Sequence, residues 1–462
     1  MFSVHNTLSG KTEEFKPIRG GEVGMYHCGP TVYDYAHIGN LRSYVFADIL
    51  RRTAEYGGLK VRQVVNITDI GHLSSDADSG DDKMVKGLKR EGLPLSLEGL
   101  KQLADKYEQA FKDDLKILNI ETPHHFPRAT EYLKQEIELV QKLEEKGYAY
   151  KLDDGIYFDT GKLQDYGRLG GLTPLDESKA RVGSEGKKSP RDFVLWKLSR
   201  EDRLGFPSPW GMGFPGWHIE CSTMSRELLG QPFDIHTGGI DHIPVHHNNE
   251  IAQSEASYDT PLANYWMHNE FVTLSGEKIA KSAGSFFTLK DIKEKGFSPL
   301  AYRYLLLLSH YRTPTNFSWE ALEAAQNAYK RLRMNVSTMP SEDGSTNMNY
   351  KKEFLKAIEG DLNTPEALAV VWKLLGDGDI RLADKRQTIL DFDKVLGLNL
   401  HEIELPSAEI VELKKKRDIA RKNKDFAESD KIRDELFKKQ WGVIDTEDMT
   451  ALYWIDNQEG SN

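Results

Sequence analysis

The part of the sequence that most constrains the fold lies between residues 23 and 67, where a helical pattern separates two apolar stretches. Residues 23–28 and 60–67 are short apolar runs of the kind that form β-strands. Between them, apolar residues recur at spacings of three and four over 38–49, and two glycines at 57–58 end the pattern. Strand, helix and strand in this order predict a β-α-β unit and a Rossmann-like parallel sheet.

Three later regions have different patterns. Residues from about 155 to 196 mix short strand-like pieces with charged loops, which indicates an insertion between two halves of the sheet. From residue 233, a strand, a Gly-rich turn at 237–239 and a helix that opens with Pro244 predict the second half. Ser318 is suited to cap a helix, and helical patterns continue from there to about residue 396.

Composition excludes several classes of protein. Hydrophobic residues make up 39% of the 462 residues and charged residues 29%, which is typical of a soluble globular chain. The sequence has no apolar run long enough to span a membrane and no secretory signal at its start, so we expect a cytoplasmic protein with no membrane partner. A net charge of −11 argues against a protein that coats nucleic acid nonspecifically.

One segment departs from the acidic average. Residues 411–440 contain eleven Lys or Arg and seven Asp or Glu, so that a polyanion could dock there. A solvated helix face of mixed charge is the commoner explanation of such a segment taken alone, and the sequence leaves both interpretations open.

The only two cysteines, Cys28 and Cys221, exclude a disulfide scaffold. His246 and Glu250 are spaced i and i+4 on the helix after Pro244, which puts an imidazole and a carboxylate on one face. Together the four side chains could offer two sulfurs, a nitrogen and an oxygen to Zn²⁺, although two separate cysteines are more often inert core residues.

Two further motifs could bind phosphate. His37-Ile38-Gly39-Asn40 lies where a loop becomes a helix, so backbone N–H groups and the helix dipole converge there; a simple capped helix start is the alternative. Lys278 and Lys281 lie three residues apart in a loop after a strand, and could close on a polyphosphate or form part of an ordinary surface loop.

Taken together, these motifs resemble those of the class I cysteinyl-tRNA synthetase family along essentially the whole chain. Residues 28–34 (CGPTVYD) and 37–40 (HIGN) are similar to the first signature of the family, and residues 278–282 (KIAKS) to its lysine-rich second signature. Further matches occur, in order, at 66–69, 127–130, 192–197, 216–221, 234–250, 361–367 and 417–436.

The resemblance implies a role for each matching residue. One zinc ion per chain is implied to be bound by Cys28, Cys221, His246 and Glu250, where it would take the thiolate of substrate cysteine. Residues implied to lie near the amino acid are Thr68, Trp217 and His236. Residues implied to bind ATP are His37, Gly39, Asn40, Gly239, Asp241 and Lys281. Catalytic roles are implied for His37, Asn40, Lys278 and Lys281, with Mg²⁺ accompanying ATP.

The implied activity is attachment of L-cysteine to tRNA(Cys) through a cysteinyl adenylate, by an enzyme that we expect to be a monomer. The implied domains are a Rossmann-like catalytic domain at 1–317, a helical tRNA-binding bundle at 318–400 and a small anticodon-side domain at 401–462. Within the first, we expect an insertion at about 125–210 and the lysine-signature loop at about 270–290.

Several positions depart from the family pattern. Asn40 replaces a usual histidine, Ile279 and Ala280 replace Met and Ser, Asn248 replaces an acidic residue, and residues 71–80 intervene before Asp-Asp-Lys. Two alternatives therefore stay open: a ligase that joins cysteine to an amino sugar, and a noncatalytic tRNA-binding paralogue.

Overall fold

The structure is a computed structural model that describes residues 2–70, 83–171, 186–199, 204–274, 277–278, 286–340, 343–402, 406–439, 441–445 and 450–454. Lys281 and the inserted residues 71–80 lie outside these ranges, as do residues 275–276 and 279–285 of the expected lysine-signature loop. For residues 277 and 278 the backbone alone is described.

The described strands are β1 Ser3–Asn6, β2 Lys11–Glu14, β3 Glu22–His27, β4 Lys60–Val65, β5 Ala149–Leu152, β6 Gly155–Phe158, β7 Phe193–Leu198, β8 Phe206–Ser208, β9 Gly211–Pro215, β10 Phe233–Gly239, β11 Ala263–Asn269, β12 Val272–Leu274, β13 Glu277–Lys278, β14 Thr315–Phe317, β15 Trp441–Asp445 and β16 Thr450–Trp454. The described α-helices are α1 Ile38–Tyr56, α2 Lys83–Glu91, α3 Leu97–Ile117, α4 Leu133–Glu145, α5 Trp217–Leu229, α6 Asn248–Tyr258, α7 Leu289–Glu294, α8 Pro299–Leu307, α9 Trp319–Thr338, α10 Met348–Glu359, α11 Thr364–Gly376, α12 Leu382–Leu396, α13 Ala408–Lys422 and α14 Phe426–Lys438.

The chain forms two compact units. The first contains residues 1–36, 57–115 and 121–270, and its centre is a parallel sheet in the order β11-β10-β3-β4. The chain passes from β3 through α1 to β4, which confirms the predicted β-α-β unit and the α/β fold class. Parallel bridges from Val64 to His125 and from Ile67 to Arg128 extend the sheet beyond β4.

A second, antiparallel sheet in the first unit has the order β5-β6-β7-β9-β8. Its strands interrupt the parallel sheet in the sequence, between β4 and β10. Leu139, Val140 and Leu143 of α4 share an apolar core with Phe158 and Trp196 of this sheet. The interruption is the feature that the sequence predicted, and the predicted bounds of about 125–210 stay a prediction.

The predicted Gly-rich turn at 237–239 is wrong, because these residues are the last three of β10. Gly238 is required there by packing: a Cβ atom would come within 2.6 Å of His242 Nδ1 and 2.8 Å of a ring carbon of His247. The chain then passes through a short 3₁₀ turn and a π-helical turn, Ile243–His247, into α6.

The second compact unit contains residues 37–56, 116–120 and 271–462. Ser318 caps α9 by accepting a hydrogen bond from the backbone N–H of Ala321, as the sequence predicted. After α12, the helices α13 and α14 and the hairpin β15–β16 form a small core of their own, composed of Ile410, Ile432, Leu436, Trp441 and Leu452. The predicted domain bounds stay a prediction. No helix among the described residues is long and apolar enough to cross a lipid bilayer.

Candidate active site and metal centre

Cys28 lies directly after β3, at the carboxyl end of the parallel sheet. Its backbone N–H donates to the carbonyl oxygen of Thr237 on β10, and its side chain is buried. Gly29 has no room for a side chain, because a Cβ atom would overlap the carbonyl oxygen of Asn66. The Gly29 N–H donates to Asn66 Oδ1 at 2.7 Å. The turn after Cys28 is therefore held by Thr237 of β10 on one side and by Asn66, which follows β4, on the other.

The other three predicted metal ligands come from two neighbouring helical segments. Cys221 lies in the first turns of α5, and Gly216 before that helix contacts the backbone of Val194 too closely for any other residue. His246 lies in the π-helical turn and Glu250 in α6. The His246 Nε2 and Glu250 Oε1 atoms are 2.9 Å apart.

These four side chains converge on one point. One ligand atom from each of Cys28, Cys221, His246 and Glu250 lies within 4.8 Å of every other, and all four residues are buried. The Nδ1 atom of His246 is 2.8 Å from His218 Nδ1, which leaves Nε2 facing the cluster. A buried set of two sulfurs, a nitrogen and an oxygen fits the four-coordinate preference of Zn²⁺.

The electrostatics of the cluster favour anionic ligands at two positions. Burial alone would raise the pKa of Cys221, but hydrogen bonds with Cys28 and His246 lower it to about 6. Burial would likewise raise the pKa of Glu250, but the facing His236 and His246 lower it to about 2. The pKa of His246 rises to about 10, against the effect of burial, because Glu250 and Cys221 are adjacent.

A second possible ligand set shares two of these residues. Ligand atoms of Cys28, His236, His247 and Glu250 also lie within 4.8 Å of one another, and all four residues are buried. His236 Nε2 is 2.7 Å from Glu250 Oε2, and His247 Nε2 is 3.3 Å from Cys28 Sγ. This set offers one sulfur instead of two, so it suits a thiophilic ion less well than the first set.

The residues predicted to lie near an amino acid surround the cluster. Thr68 is buried after β4, and its hydroxyl donates to Glu220 Oε2 at 2.7 Å. The ring of Trp217, at the start of α5, is centred 4.2 Å from that of His246. The structure therefore brings Thr68, Trp217 and His236 together with all four predicted metal ligands, within the first compact unit.

The residues predicted to bind nucleotide are divided between the two units. Gly239 ends β10, and the exposed Asp241 follows in the 3₁₀ turn. In the second unit, the His37 N–H donates to Asn40 Oδ1 at 3.3 Å and the Asn40 N–H donates to His37 Nδ1 at 3.1 Å. These reciprocal hydrogen bonds cap the start of α1, as expected for the simple capped helix start that was the alternative to a phosphate site. Gly39 lies in the first turn of α1, and Lys278 ends β13.

Comparison with known proteins identifies the family of the chain. Residues 14–327 match the family model described as "tRNA synthetases class I (C) catalytic domain". "Cysteine--tRNA ligase 1" of Burkholderia lata is 46% identical over 460 residues, which cover 98% of this chain and 96% of the relative. The chain belongs to the cysteine–tRNA ligase family. The "Cysteine--tRNA ligase" of Treponema denticola is 43% identical, with 96% of each chain covered.

Solved structures support the fold of this cysteine–tRNA ligase family member. The methionyl-tRNA synthetase of Mycobacterium tuberculosis in complex with methionyl-adenylate superposes with a TM-score of 0.56, covering 82% of this chain and 90% of that one. Sequence identity is 14%, so the likeness concerns the class I architecture alone. Family membership makes the chain a ligase and removes the noncatalytic alternative.

Sequence reasoning missed several residues of the centre. His218 faces His246, Glu220 accepts from Thr68, and His247 and His268 lie behind Cys28. The adjacent histidines at 246–247 were a visible signal. His268 gave none, because it reaches the centre only through the parallel pairing of β11 with β10, in which it lies opposite Gly238.

Proposed function

We propose that this chain attaches L-cysteine to tRNA(Cys) in two steps, with one zinc ion held by Cys28, Cys221, His246 and Glu250. The observation that carries the proposal is the buried cluster of these four side chains in a member of the cysteine–tRNA ligase family. When bound, zinc supplies a thiophilic centre that prefers the cysteine sulfur to the harder hydroxyl of serine.

In the first step, the carboxylate of cysteine attacks the α-phosphate of ATP and pyrophosphate leaves. Thr68, Trp217 and His236 orient the amino acid in this proposal. Gly239 and Asp241 hold the ribose, since a carboxylate suits a diol. The triphosphate of ATP, with Mg²⁺, is bound in this proposal by His37, Gly39, Asn40, Lys278 and Lys281. These residues orient the phosphate groups and stabilise the negative charge that develops as pyrophosphate leaves.

In the second step, a hydroxyl of the 3′-terminal ribose of the tRNA attacks the cysteinyl carbonyl carbon and AMP leaves. No protein nucleophile is needed, because the adenylate is already activated. The basic helix α13 is proposed to follow the tRNA backbone. Lys415, Lys416, Arg421 and Lys422 are exposed on it, whereas Arg417 is buried and does not contribute to that surface.

The Cys221→Ser variant tests the ligand set. The serine keeps the shape of the side chain but replaces a soft thiolate with a hydroxyl, so zinc content should fall well below one ion per chain. The preference for cysteine over serine in pyrophosphate exchange should fall with it. Thr223→Ser, a conservative change on the same helix, is the matched control and should keep both. Full zinc content and unchanged preference in Cys221→Ser would show that the ligand set is wrong.

Cysteine-dependent pyrophosphate exchange and charging of a tRNA(Cys) transcript test the reaction itself. Both activities are expected in the full chain. Exchange without charging would instead favour the ligase that uses an amino sugar as its acceptor. The match to curated tRNA ligases over nearly the whole chain, including the residues after 327, supports tRNA as the acceptor.

A further inference from the structure

A chain of hydrogen bonds leads from Cys28 to the N-terminal hairpin. Cys28 Sγ is 3.3 Å from His247 Nε2, His247 Nδ1 is 2.7 Å from His268 Nε2, and His268 Nδ1 is 2.8 Å from Thr7 Oγ1. Both histidines are buried, and Thr7 is half-buried in the turn between β1 and β2. We call these three residues, Thr7, His268 and His247, the relay.

Hydrogen bonds to β11 fix the position of Thr7, the outermost residue of the relay. Its backbone N–H donates to the carbonyl oxygen of Trp266 on β11 at 2.8 Å, two residues before His268. Asn6 beside it binds the same strand through Asn264 and Trp266. The hydroxyl of Thr7 is therefore fixed relative to the ring that it contacts.

The direction of the hydrogen bonds follows from counting donors. A thiolate that is bound to a metal can only accept, so His247 Nε2 must carry the proton that points at Cys28. A neutral imidazole has one N–H, so His247 Nδ1 must accept from His268 Nε2. The same rule makes His268 Nδ1 an acceptor, and the Thr7 hydroxyl has to donate.

We propose that Thr7, His268 and His247 are positioning residues that fix the donor aimed at the Cys28 thiolate and so strengthen metal binding. This inference rests on the proposed ligand set of Cys28, Cys221, His246 and Glu250. Outer hydrogen bonds of this kind are known to set the tautomer and orientation of groups around a metal, and their loss weakens metal binding about 10- to 100-fold.

The second ligand set predicts the opposite direction. If His247 Nε2 bound the metal, Nδ1 would carry the proton and donate to His268, and Thr7 would become the acceptor. X-ray absorption of the zinc-loaded protein separates the two arrangements, because the first has two sulfur ligands and the second has one. A spectrum with no sulfur would contradict the proposed function itself.

The Thr7→Val variant tests the relay, since valine keeps the shape of threonine and removes the hydroxyl. We expect zinc affinity, measured by competition with a chelator in the full chain, to fall about threefold to tenfold. The thiolate-to-metal charge-transfer band of the Co²⁺-substituted protein should shift. Thr7→Ser should restore both readouts. Thr12→Val, at an exposed position of β2 in the same hairpin, should match the wild type.

His268 provides a second, independent variant. His268→Gln can still place an amide donor toward His247, so it should bind zinc more tightly than His268→Leu, for which we expect about a 10- to 100-fold loss. Stoichiometric zinc in the wild type with equal affinities and spectra for Thr7→Val, His268→Leu and Thr12→Val would overturn the relay and leave the ligand set standing. Absence of stoichiometric zinc in the wild type would overturn the ligand set.

Discussion

Glu136 lies on α4 with both carboxylate oxygens buried, and no described residue hydrogen-bonds to either oxygen. Burial, with a smaller contribution from the nearby charge of Asp69, raises the pKa of Glu136 well above its usual value. The carboxyl group is therefore neutral in the folded protein over a pH range in which it ionises in the unfolded chain. Folding must then take up a proton.

This proton uptake gives the stability of the protein a definite pH dependence. The folded state holds more protons than the unfolded state above the usual Glu pKa, so the free energy of unfolding falls as pH rises, by up to about 1.4 kcal/mol per pH unit. We expect Glu136→Gln, which cannot ionise, to lose part of the fall between pH 5 and 7 in urea unfolding. Glu138→Gln, an exposed change on the same helix, should follow the wild-type curve. Parallel curves for all three proteins would contradict a neutral Glu136.

Among the elements of the second unit, four segments meet at the buried guanidinium of Arg303. From α8, this side chain donates to Leu396 O at 2.9 Å, to Leu118 O at 3.0 Å and to Asp48 Oδ2 at 2.6 Å. Asp48 and Arg303 are both fully buried, and Arg52 also donates to Asp48. One side chain thus joins α1, α8, the end of α12 and residues 116–120.

Arg303→Met should remove this junction at a large cost. Methionine fills most of the volume but leaves the buried Asp48 with one cation fewer and two carbonyl groups without their donor. Breaking a buried ion pair from one side costs about 3–5 kcal/mol, which urea unfolding would measure. Arg62→Met, at an exposed position of β4, should change the free energy of unfolding by less than about 0.5 kcal/mol. Equal effects of the two substitutions would contradict the role of Arg303 as a junction.

Periodicity in the sequence predicted those features of the helices and strands that depend on neighbouring residues in the chain. The i, i+4 spacing of His246 and Glu250 predicted that their side chains meet, and they do so across the junction between the π-helical turn and α6. The glycines of 237–239 were misleading, since Gly238 serves the packing of histidine rings and no turn occurs there. Packing of that kind depends on residues that are distant in sequence, so it cannot be predicted from a short stretch of the chain.

Over the full length of the chain, the alternation of strands and helices predicted a parallel sheet but not its strand order. β3 lies between β4, its neighbour along the chain, and β10, which follows some two hundred residues later. The antiparallel sheet and the helices between them separate the two halves in sequence. Cys28 and Cys221 meet because α5, which precedes β10, packs against β3 and β4. No spacing rule connects the two cysteines, and only the motif resemblance predicted that they lie together.

The C-terminal residues offer a test of how activity is divided along the chain. The helices α13 and α14 share the core of Ile410, Ile432 and Leu436 with the last hairpin, so they form a compact piece whose exposed lysines are free of any role in that core. If these lysines contact tRNA phosphates, charging should weaken steeply with salt, while adenylate formation should not depend on them.

Deletion of the residues after 405 should therefore keep cysteine-dependent pyrophosphate exchange near the wild-type rate, lower tRNA charging, and reduce the salt dependence of the charging that remains. Because β16 also contacts α9, the melting temperature of the truncated protein must be measured with both activities. A full-length variant with Lys415→Ala, Lys416→Ala and Arg421→Ala keeps that contact and should reproduce the loss of charging. Lys431→Ala on α14, whose side chain pairs with Glu428, is the matched control. Equal loss of exchange and charging, accompanied by a lower melting temperature, would mean that the tail completes the fold and does not dock tRNA.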